Sequence, residues 1–227
     1  MKFQVSQKQI ATKFDELIEC TCGADGFQRK SDRGETYFAR STPDGSQTLS
    51  LLCSRWGYGY QLYITTGVRI SKAVELVWDC FPHLGKKRLL SLLMQFSRFA
   101  TAEEIMLGHD PGIIHRGVSL SVFDEISFDR SMIFLEMVLK TRIVPFLDEF
   151  SSCCQIDRAS NELMLDDFQS PHSEISGVAL AKCCGKHDWR EVASRRLAAM
   201  RQVSCSCPID QAVHDLNMFV EFLSAKE

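Results

Sequence analysis

Apolar residues recur at helical spacing near the start of the chain. Ser6 followed by Gln9 has the spacing of a capping box, in which each side chain bonds the backbone N–H of the other residue. The apolar positions that follow fall at i, i+4, i+7 and i+8, on one face of a helix: Ile10, Phe14, Leu17 and Ile18. The pattern predicts a first helix that ends near Gly23 and Gly26.

The period then changes from helical to alternating. Two short segments, 27–31 and 36–41, are split by turn-forming residues and predict a hairpin, and Pro43-Asp44-Gly45 supplies the next turn. Longer strands are predicted over 48–54 and 60–70, because apolar and polar positions alternate through the second of these segments. We therefore expect an antiparallel sheet with one exposed face.

A second helix is predicted directly after the sheet, with Ser71 as its N-cap and Pro82 as its stop. Its apolar positions are Val74, Val77, Trp78 and Phe81. For the middle of the chain we expect a helix over 86–106, with a strand followed by a helix as the alternative, and a further strand over 112–123.

The last hundred residues are predicted to be helical. An apolar-rich segment runs from Phe128 to Phe150, and Pro145 is expected to kink or divide it. Further helices are predicted over 175–183, from a capping box of Asp188 and Glu191, and after Pro208.

These elements predict an α+β fold. An N-terminal helix and an antiparallel meander sheet with flanking helices are followed by an all-helical C-terminal part. We expect a sheet domain over 1–125 and a helical region over 126–227 packed on it, or a single domain.

The net charge and the hydropathy of the chain indicate which cellular compartment and which classes of partner to expect. The 227 residues carry a formal net charge of -3, so the chain has no global positive field to hold nucleic acid or an anionic membrane. The N-terminus lacks the order of segments of a signal peptide, and no window approaches the roughly 18 apolar residues of a spanning helix. We expect a cytoplasmic protein without nucleic-acid or membrane partners, of undetermined oligomeric state.

Ten cysteines raise the question of disulfides or a metal. Without a secretion signal, most of them are expected to be thiols that pack as small apolar side chains. The alternative is a zinc site built from Cys183, His187, Cys205 and Cys207, with Cys184 and His214 nearby in sequence. These groups lack the paired Cys-x-x-Cys spacing of zinc ribbons and fingers, so no metal and no other cofactor is expected.

No common catalytic motif is present in the sequence. The run from Gly117 to Ser121 lacks the closing glycine of a nucleophile elbow, and nucleotide-binding and metalloprotease motifs are absent. His109, Asp110 and His115 flank a Pro-Gly turn, where these residue types are common without catalysis. No catalytic residue is therefore assigned.

Two segments are candidates for binding a protein partner. The run Arg55-Trp56-Gly57-Tyr58-Gly59-Tyr60 combines aromatics and a guanidinium on a glycine-hinged turn, which suits an interface; the alternative is that its aromatics fold back over the sheet. Seven carboxylates against one basic residue lie between Asp148 and Glu174, and the set includes Asp166 and Asp167 beside Phe168. This segment could dock on a basic partner, or it could neutralise the basic helices that follow it.

The N-terminal pattern resembles a bacterial domain family of unknown function. The resemblance covers about the first 80 residues: the amphipathic helix, Gly26-Phe27-Gln28-Arg29-Lys30, Thr36-Tyr37-Phe38-Ala39-Arg40 and the two longer strands. Some members of such families are proposed to be immunity proteins that neutralise bacterial toxins, and the run 176–189 looks like the helical hairpins of such proteins. The resemblance carries over no functional residue.

We therefore expect a non-enzymatic protein-binding protein, and most specifically an immunity protein for a cognate toxin. One alternative is a zinc- or cysteine-dependent enzyme that uses the C-terminal Cys and His groups. Another is a structural subunit of a larger assembly.

Overall fold

A computed structural model describes residues 5–32, 35–57, 59–84, 92–95, 120–163, 173–185, 188–202 and 207–227. Within these residues the fold is α+β, with an N-terminal helix, an antiparallel sheet and a helical C-terminal part. The predicted fold class is confirmed.

Helix α1 spans Gln7–Cys22 and begins with the predicted capping box. The backbone N–H of Gln9 donates to Ser6 Oγ (3.2 Å), and the backbone N–H of Ser6 donates to Gln9 Oε1 (2.7 Å). The helix buries Ile10, Phe14, Ile18 and Cys22. Its end lies at Gly23, and Gly26 follows with φ of 83°, a left-handed conformation that favours glycine.

Six strands form one sheet among the described residues. They are β1 (Gln28–Asp32), β2 (Glu35–Thr42), β3 (Gly45–Trp56), β4 (Gly59–Ile70), β5 (Leu92–Gln95) and β6 (Leu120–Val122). The strand order is β1-β2-β3-β4-β5, and β6 also pairs with β4. The predicted hairpin and the two predicted longer strands are confirmed.

Strand β4 largely follows the predicted alternation. Leu62, Ile64 and Val68 are buried, while Tyr63 and Thr65 between them are partly exposed. Gln61 is a polar position of this alternation but is buried, and it pairs antiparallel with Ser121 of β6.

The structure corrects two expectations in the middle of the chain. Helix α2 spans Ser71–Cys80, and its N-cap is Ile70 rather than Ser71. Strand β4 leads directly into this helix without a loop. The backbone N–H of Ser71 donates to the carbonyl of Asp44 (2.9 Å). The helix predicted over 86–106 is wrong at Leu92–Gln95, which is strand β5 because it pairs with β4. The rest of that predicted helix lies outside the described residues.

The later helices fall within the part of the chain predicted to be helical, although the helix over Cys153–Asn161 was not predicted individually. They are α3 (Glu125–Val138), α4 (Val144–Glu149), α5 (Cys153–Asn161), α6 (Ser173–Cys184), α7 (Trp189–Gln202) and α8 (Cys207–Ala225). The predicted break near Pro145 is confirmed in a specific form: Leu139–Ile143 is a π-helical segment between α3 and α4. Within the described part of the chain, no helix is both long and apolar enough to span a membrane.

The chain divides into two compact units that alternate along the sequence. The first comprises Met1–Ser41, Gln47–Thr66 and Met94–Glu149, and the second comprises Thr42–Ser46, Gly67–Leu93 and Phe150–Glu227. In the first unit, α3 packs against α1 and β6. In the second unit, α6 packs against α2, α5, α7 and α8. The predicted division at residues 125 and 126 stays a prediction.

A candidate protein-binding surface on helix α3

Helix α3 is fixed at its start by a reciprocal cap. The backbone N–H of Ser127 donates to Asp124 Oδ1 (2.7 Å), and the backbone N–H of Asp124 donates to Ser127 Oγ (2.9 Å). The carboxylate of Asp124 accepts from the backbone N–H of Ser127 and also from its hydroxyl (2.7 Å), and these two bonds lower the pKa of the Asp124 carboxyl because they favour its charged form. The helix therefore begins with a fixed negative charge.

One face of α3 belongs to the core of the first unit. Met132, Leu135 and Val138 are buried where the helix packs against α1 and β6. This packing sets which face of the helix is buried, so the opposite face is turned away from α1 and β6.

The opposite face of α3 is apolar but exposed. Ile126 and Ile133 keep 65% and 69% of their surface accessible, and Met137 keeps 39%. Because an α-helix turns by about 100° per residue, positions separated by seven and then four residues lie within roughly 40° of one another. We call these three residues the α3 stripe.

The edge of the α3 stripe is mainly acidic. The sequence of α3 contains three carboxylates and one guanidinium: Glu125, Asp129, Glu136 and Arg130. Glu136 Oε1 pairs with Lys140 Nζ one turn later (2.6 Å), and both side chains remain about half exposed. The surface thus combines an apolar centre with a charged rim, the usual composition of a protein-binding site.

The α3 stripe was not predicted from the sequence. The segment 128–150 was recognised only as rich in apolar residues, without a division into a buried and an exposed face. The sequence nevertheless contains a sign of the stripe, because α3 has apolar residues on two opposite faces. One face carries residues 132, 135 and 138, and the other carries residues 126, 133 and 137.

The predicted aromatic segment forms the turn between β3 and β4. β3 ends at Trp56, Gly57 adopts a left-handed φ of 54°, and β4 begins at Gly59. Arg55 is exposed, and Tyr60 is partly buried opposite Val122 of β6. The side chain of Trp56 and all of Tyr58 lie outside the described residues, so a binding role for this turn stays a prediction.

Two carboxylates of the predicted acidic segment pair with arginines, one at the surface and one in a largely buried position. Asp148 Oδ1 pairs with Arg40 Nη2 (2.6 Å), and Glu174 Oε2 pairs with Arg196 Nη1 (2.7 Å). The second pair joins the acidic segment to a following basic helix, which is the neutralising alternative raised by the sequence. Asp166, Asp167 and Phe168 lie outside the described residues, and Leu163 beside them is 44% exposed.

A buried polar cluster in the second unit was also not predicted. Arg196 is only 3% exposed, and its guanidinium donates to Asn161 Oδ1 from both Nε (2.9 Å) and Nη2 (2.7 Å). Nη2 also donates to Ser160 Oγ (2.8 Å), and Asn161 Nδ2 donates to Asp157 Oδ1 (2.7 Å) and to the carbonyl of Gly177 (2.8 Å). The charge at this position is paired and hydrogen-bonded, as a buried charge must be.

The alternative zinc site has one described side chain, Cys183. Burial raises the pKa of its thiol to about 11. His187, Cys205 and the side chain of Cys207 lie outside the described residues. Among the side chains that the structure does describe, no group of three or more Cys, His, Asp or Glu is arranged to hold a metal ion.

Comparisons with known proteins add no relative. No family model, no curated protein and no solved structure matches the chain.

Proposed function

We propose that this chain is a non-enzymatic, cytoplasmic protein-binding protein that docks a partner through the exposed face of α3. The observation that carries the proposal is the α3 stripe, three large aliphatic side chains aligned on a helix whose other face is packed.

The proposal depends on the alignment of the three side chains on one helix face more than on the exposure of any one of them. A single exposed aliphatic side chain, such as Leu52 with 65% of its surface accessible, is ordinary in folded proteins. Anchors at i, i+7 and i+11 on one rigid helix are instead the pattern with which a helix fills an apolar groove of a partner. Burying such anchors in an interface contributes roughly 1–2 kcal/mol each.

The charges around the stripe favour a basic partner. Asp124, Glu125 and Asp129 lie around Ile126 at the N-terminal end of α3, and all three are exposed. A partner with an apolar groove rimmed by Lys or Arg would be attracted by these carboxylates and would bury the aliphatic side chains between them.

The more specific form of the proposal is an immunity protein that neutralises a basic toxin. It is supported by the resemblance of the first 80 or so residues to a family that includes proposed immunity proteins, and by the acidic rim of the stripe. A structural subunit would use the same kind of surface and would differ only in its partner.

Site-specific photo-crosslinking in cells that make the protein tests the docking surface. A benzoyl-phenylalanine at position 133 probes the stripe, and the same group at position 52 is a matched control on an equally exposed aliphatic position of the same unit. We expect an adduct with one basic protein at position 133 and not at position 52.

The toxin form of the proposal needs a second readout. The crosslinked protein is expressed alone, and growth is compared with that of cells that also produce this chain. Rescue of growth by the wild-type chain but not by the Ile126→Ala/Ile133→Ala variant supports immunity. A partner that is not toxic contradicts only the immunity form of the proposal. The proposed docking of a basic partner is contradicted if positions 133 and 52 crosslink equally, or if the adduct is a second copy of the chain.

A further inference from the structure

Two cysteines from different helices meet at one end of the pair α5 and α6. Cys154 is the second residue of α5, Cys184 is the last residue of α6, and their Sγ atoms lie 2.6 Å apart although 30 positions separate them in sequence. Cys154 is exposed and Cys184 is partly exposed, so small molecules in solution can reach this pair.

Both helix ends are held in place by backbone contacts. At the start of α5, Ser152 Oγ caps the helix by accepting from the backbone N–H of Gln155, and the backbone N–H of Cys153 donates to Asp44 Oδ2 (2.7 Å). At the end of α6, the N–H of Gly185 donates to the carbonyl of Ala181 (3.0 Å), and Gly185 adopts a left-handed φ of 67°. The backbone that carries each of the two cysteines is therefore fixed by the cap of its own helix.

The neighbouring cysteines are poorly suited to compete. Cys153 and Cys183 precede Cys154 and Cys184 directly in sequence and are less exposed than Cys154. Burial is the main reason that the pKa of Cys153 rises to about 12 and that of Cys183 to about 11. Because the thiolate is the nucleophile in disulfide exchange, these two thiols react slowly at neutral pH.

We propose that Cys154 and Cys184 form a reversible disulfide by exchange with a small-molecule disulfide such as oxidised glutathione. The exposed Cys154 thiolate attacks one sulfur of the oxidant, a mixed disulfide forms, and one glutathione thiolate leaves and takes up a proton. Cys184 then loses its proton and attacks Sγ of Cys154; the mixed disulfide breaks, the protein disulfide forms, and a second reduced glutathione leaves. Two protein thiols are oxidised and one glutathione disulfide is reduced to two thiols.

The disulfide would tie the start of α5 to the end of α6. These two helices carry Ser160, Asn161 and Glu174, which bind the buried guanidinium of Arg196. Oxidation is therefore expected to stabilise the helical part of the second unit, and reduction to release the constraint.

The test uses the full chain in mixtures of reduced and oxidised glutathione at neutral pH. After acid quenching and alkylation, linked peptides are measured by mass spectrometry. Cys153 and Cys154 fall in one peptide, and Cys183 and Cys184 fall in another, so a link between the two peptides does not by itself identify the bonded cysteines. In the Cys153→Ser/Cys183→Ser variant such a link can involve only Cys154 and Cys184. The matched control is Cys154→Ser/Cys184→Ser, and circular dichroism checks that both variants are folded.

We expect the Cys153→Ser/Cys183→Ser variant to link the two peptides at a rate within about twofold of the wild-type rate. The control, which can link them only through Cys153 and Cys183, should do so at least tenfold more slowly than the wild type. The proposal is overturned if glutathione adducts accumulate on Cys154 without a link, or if the control links Cys153 to Cys183 as fast as the wild type forms its link. Should either variant fail to fold, fragmentation of the wild-type linked peptide between residues 153 and 154 identifies the bonded sulfurs and decides between the same outcomes.

Discussion

The guanidinium of Arg196 occupies the space that a side chain on Gly177 would need. A Cβ built on Gly177 would lie 2.2 Å from Cζ and Nη2 of Arg196, far inside van der Waals contact. Glycine in the interior of a helix costs stability by itself, so its place at this position is explained by the approach of the arginine. The two residues come from α6 and α7, and together they fix how closely those helices pack.

Gly177→Ala is therefore expected to destabilise the protein, although alanine is the better helix former. The added methyl must displace the buried guanidinium and break some of its hydrogen bonds, at a cost of about 2–4 kcal/mol in the free energy of unfolding. Urea denaturation followed by circular dichroism measures this loss. A stabilised variant would show that the arginine moves away freely.

A double-mutant cycle separates the clash from other effects of the alanine. In the Arg196→Met background the planar guanidinium is absent, so Gly177→Ala should cost at least 1 kcal/mol less than in the wild type, a rough minimum for contacting residues. Additive effects would contradict direct contact between the two positions.

Arg196→Met alone tests the buried cluster. The change leaves Glu174, 15% exposed at its side chain, and the buried Asn161 without their cationic donor. We expect a loss of about 3–5 kcal/mol in the free energy of unfolding, the range for breaking a buried ion pair from one side. Arg158→Met is the matched control, since the pair of Arg158 with Glu162 is exposed and spans 3.8 Å. Its expected cost is about 0–1 kcal/mol.

Local patterns predicted most of the fold. Ser6 and Gln9 located the start of α1, and alternation located β4, because these features depend on residues that are close in sequence. The helix expected around Leu92–Gln95 was wrong, since pairing with β4 is a long-range interaction that residues 92–95 do not encode alone.

The candidate sites were harder to predict for the same reason. Arg196 meets Gly177 and Asn161 only after three helices have packed, and Cys154 meets Cys184 across 30 positions. The α3 stripe was different, because its exposure depends on which of two apolar faces packs against α1, and periodicity does not distinguish two similar faces.

Truncation of the α3 stripe should separate binding from folding. Ile133→Ala removes an exposed side chain, so we expect the free energy of unfolding to change by less than about 0.5 kcal/mol. Affinity for the crosslinked partner, measured by calorimetry, should fall by roughly five- to thirtyfold in Kd, which corresponds to about 1–2 kcal/mol. Leu52→Ala is the control and should leave Kd unchanged; equal losses from the two variants would remove the stripe from the interface.

The two surfaces predicted from sequence can be tested against the same partner. Trp56→Ala with Tyr58→Ala, or charge reversal of Asp166 and Asp167, should weaken the complex without unfolding the protein. The charge reversal should act mainly on the association rate and more strongly at low salt. Unchanged affinity in both variants would leave α3 as the sole candidate among these surfaces.

Glu227 provides a prediction for pH dependence. Its carboxylate accepts hydrogen bonds from Lys182, Arg190 and Trp189 Nε1, the last at 3.1 Å. Bonds from Lys182, then Arg190, then Trp189 lower the pKa of Glu227 from 4.5 to about 2. The contacts join the end of the chain to α6 and α7, and the two cations also lie over the Trp189 ring.

Because the pKa of the folded state is depressed, the stabilising contribution is complete above pH 4.5 and is lost as the pH falls toward about 2. The difference in free energy of unfolding between wild type and Glu227→Gln should therefore be constant near neutrality and shrink over that window. Denaturant titrations at a series of pH values measure it, and high salt should reduce it at neutral pH because the carboxylate is partly exposed. A difference that stays constant down to pH 2 would mean that protonation of Glu227 is not coupled to folding, and that the bonds from Lys182 and Arg190 do not hold its carboxylate in solution.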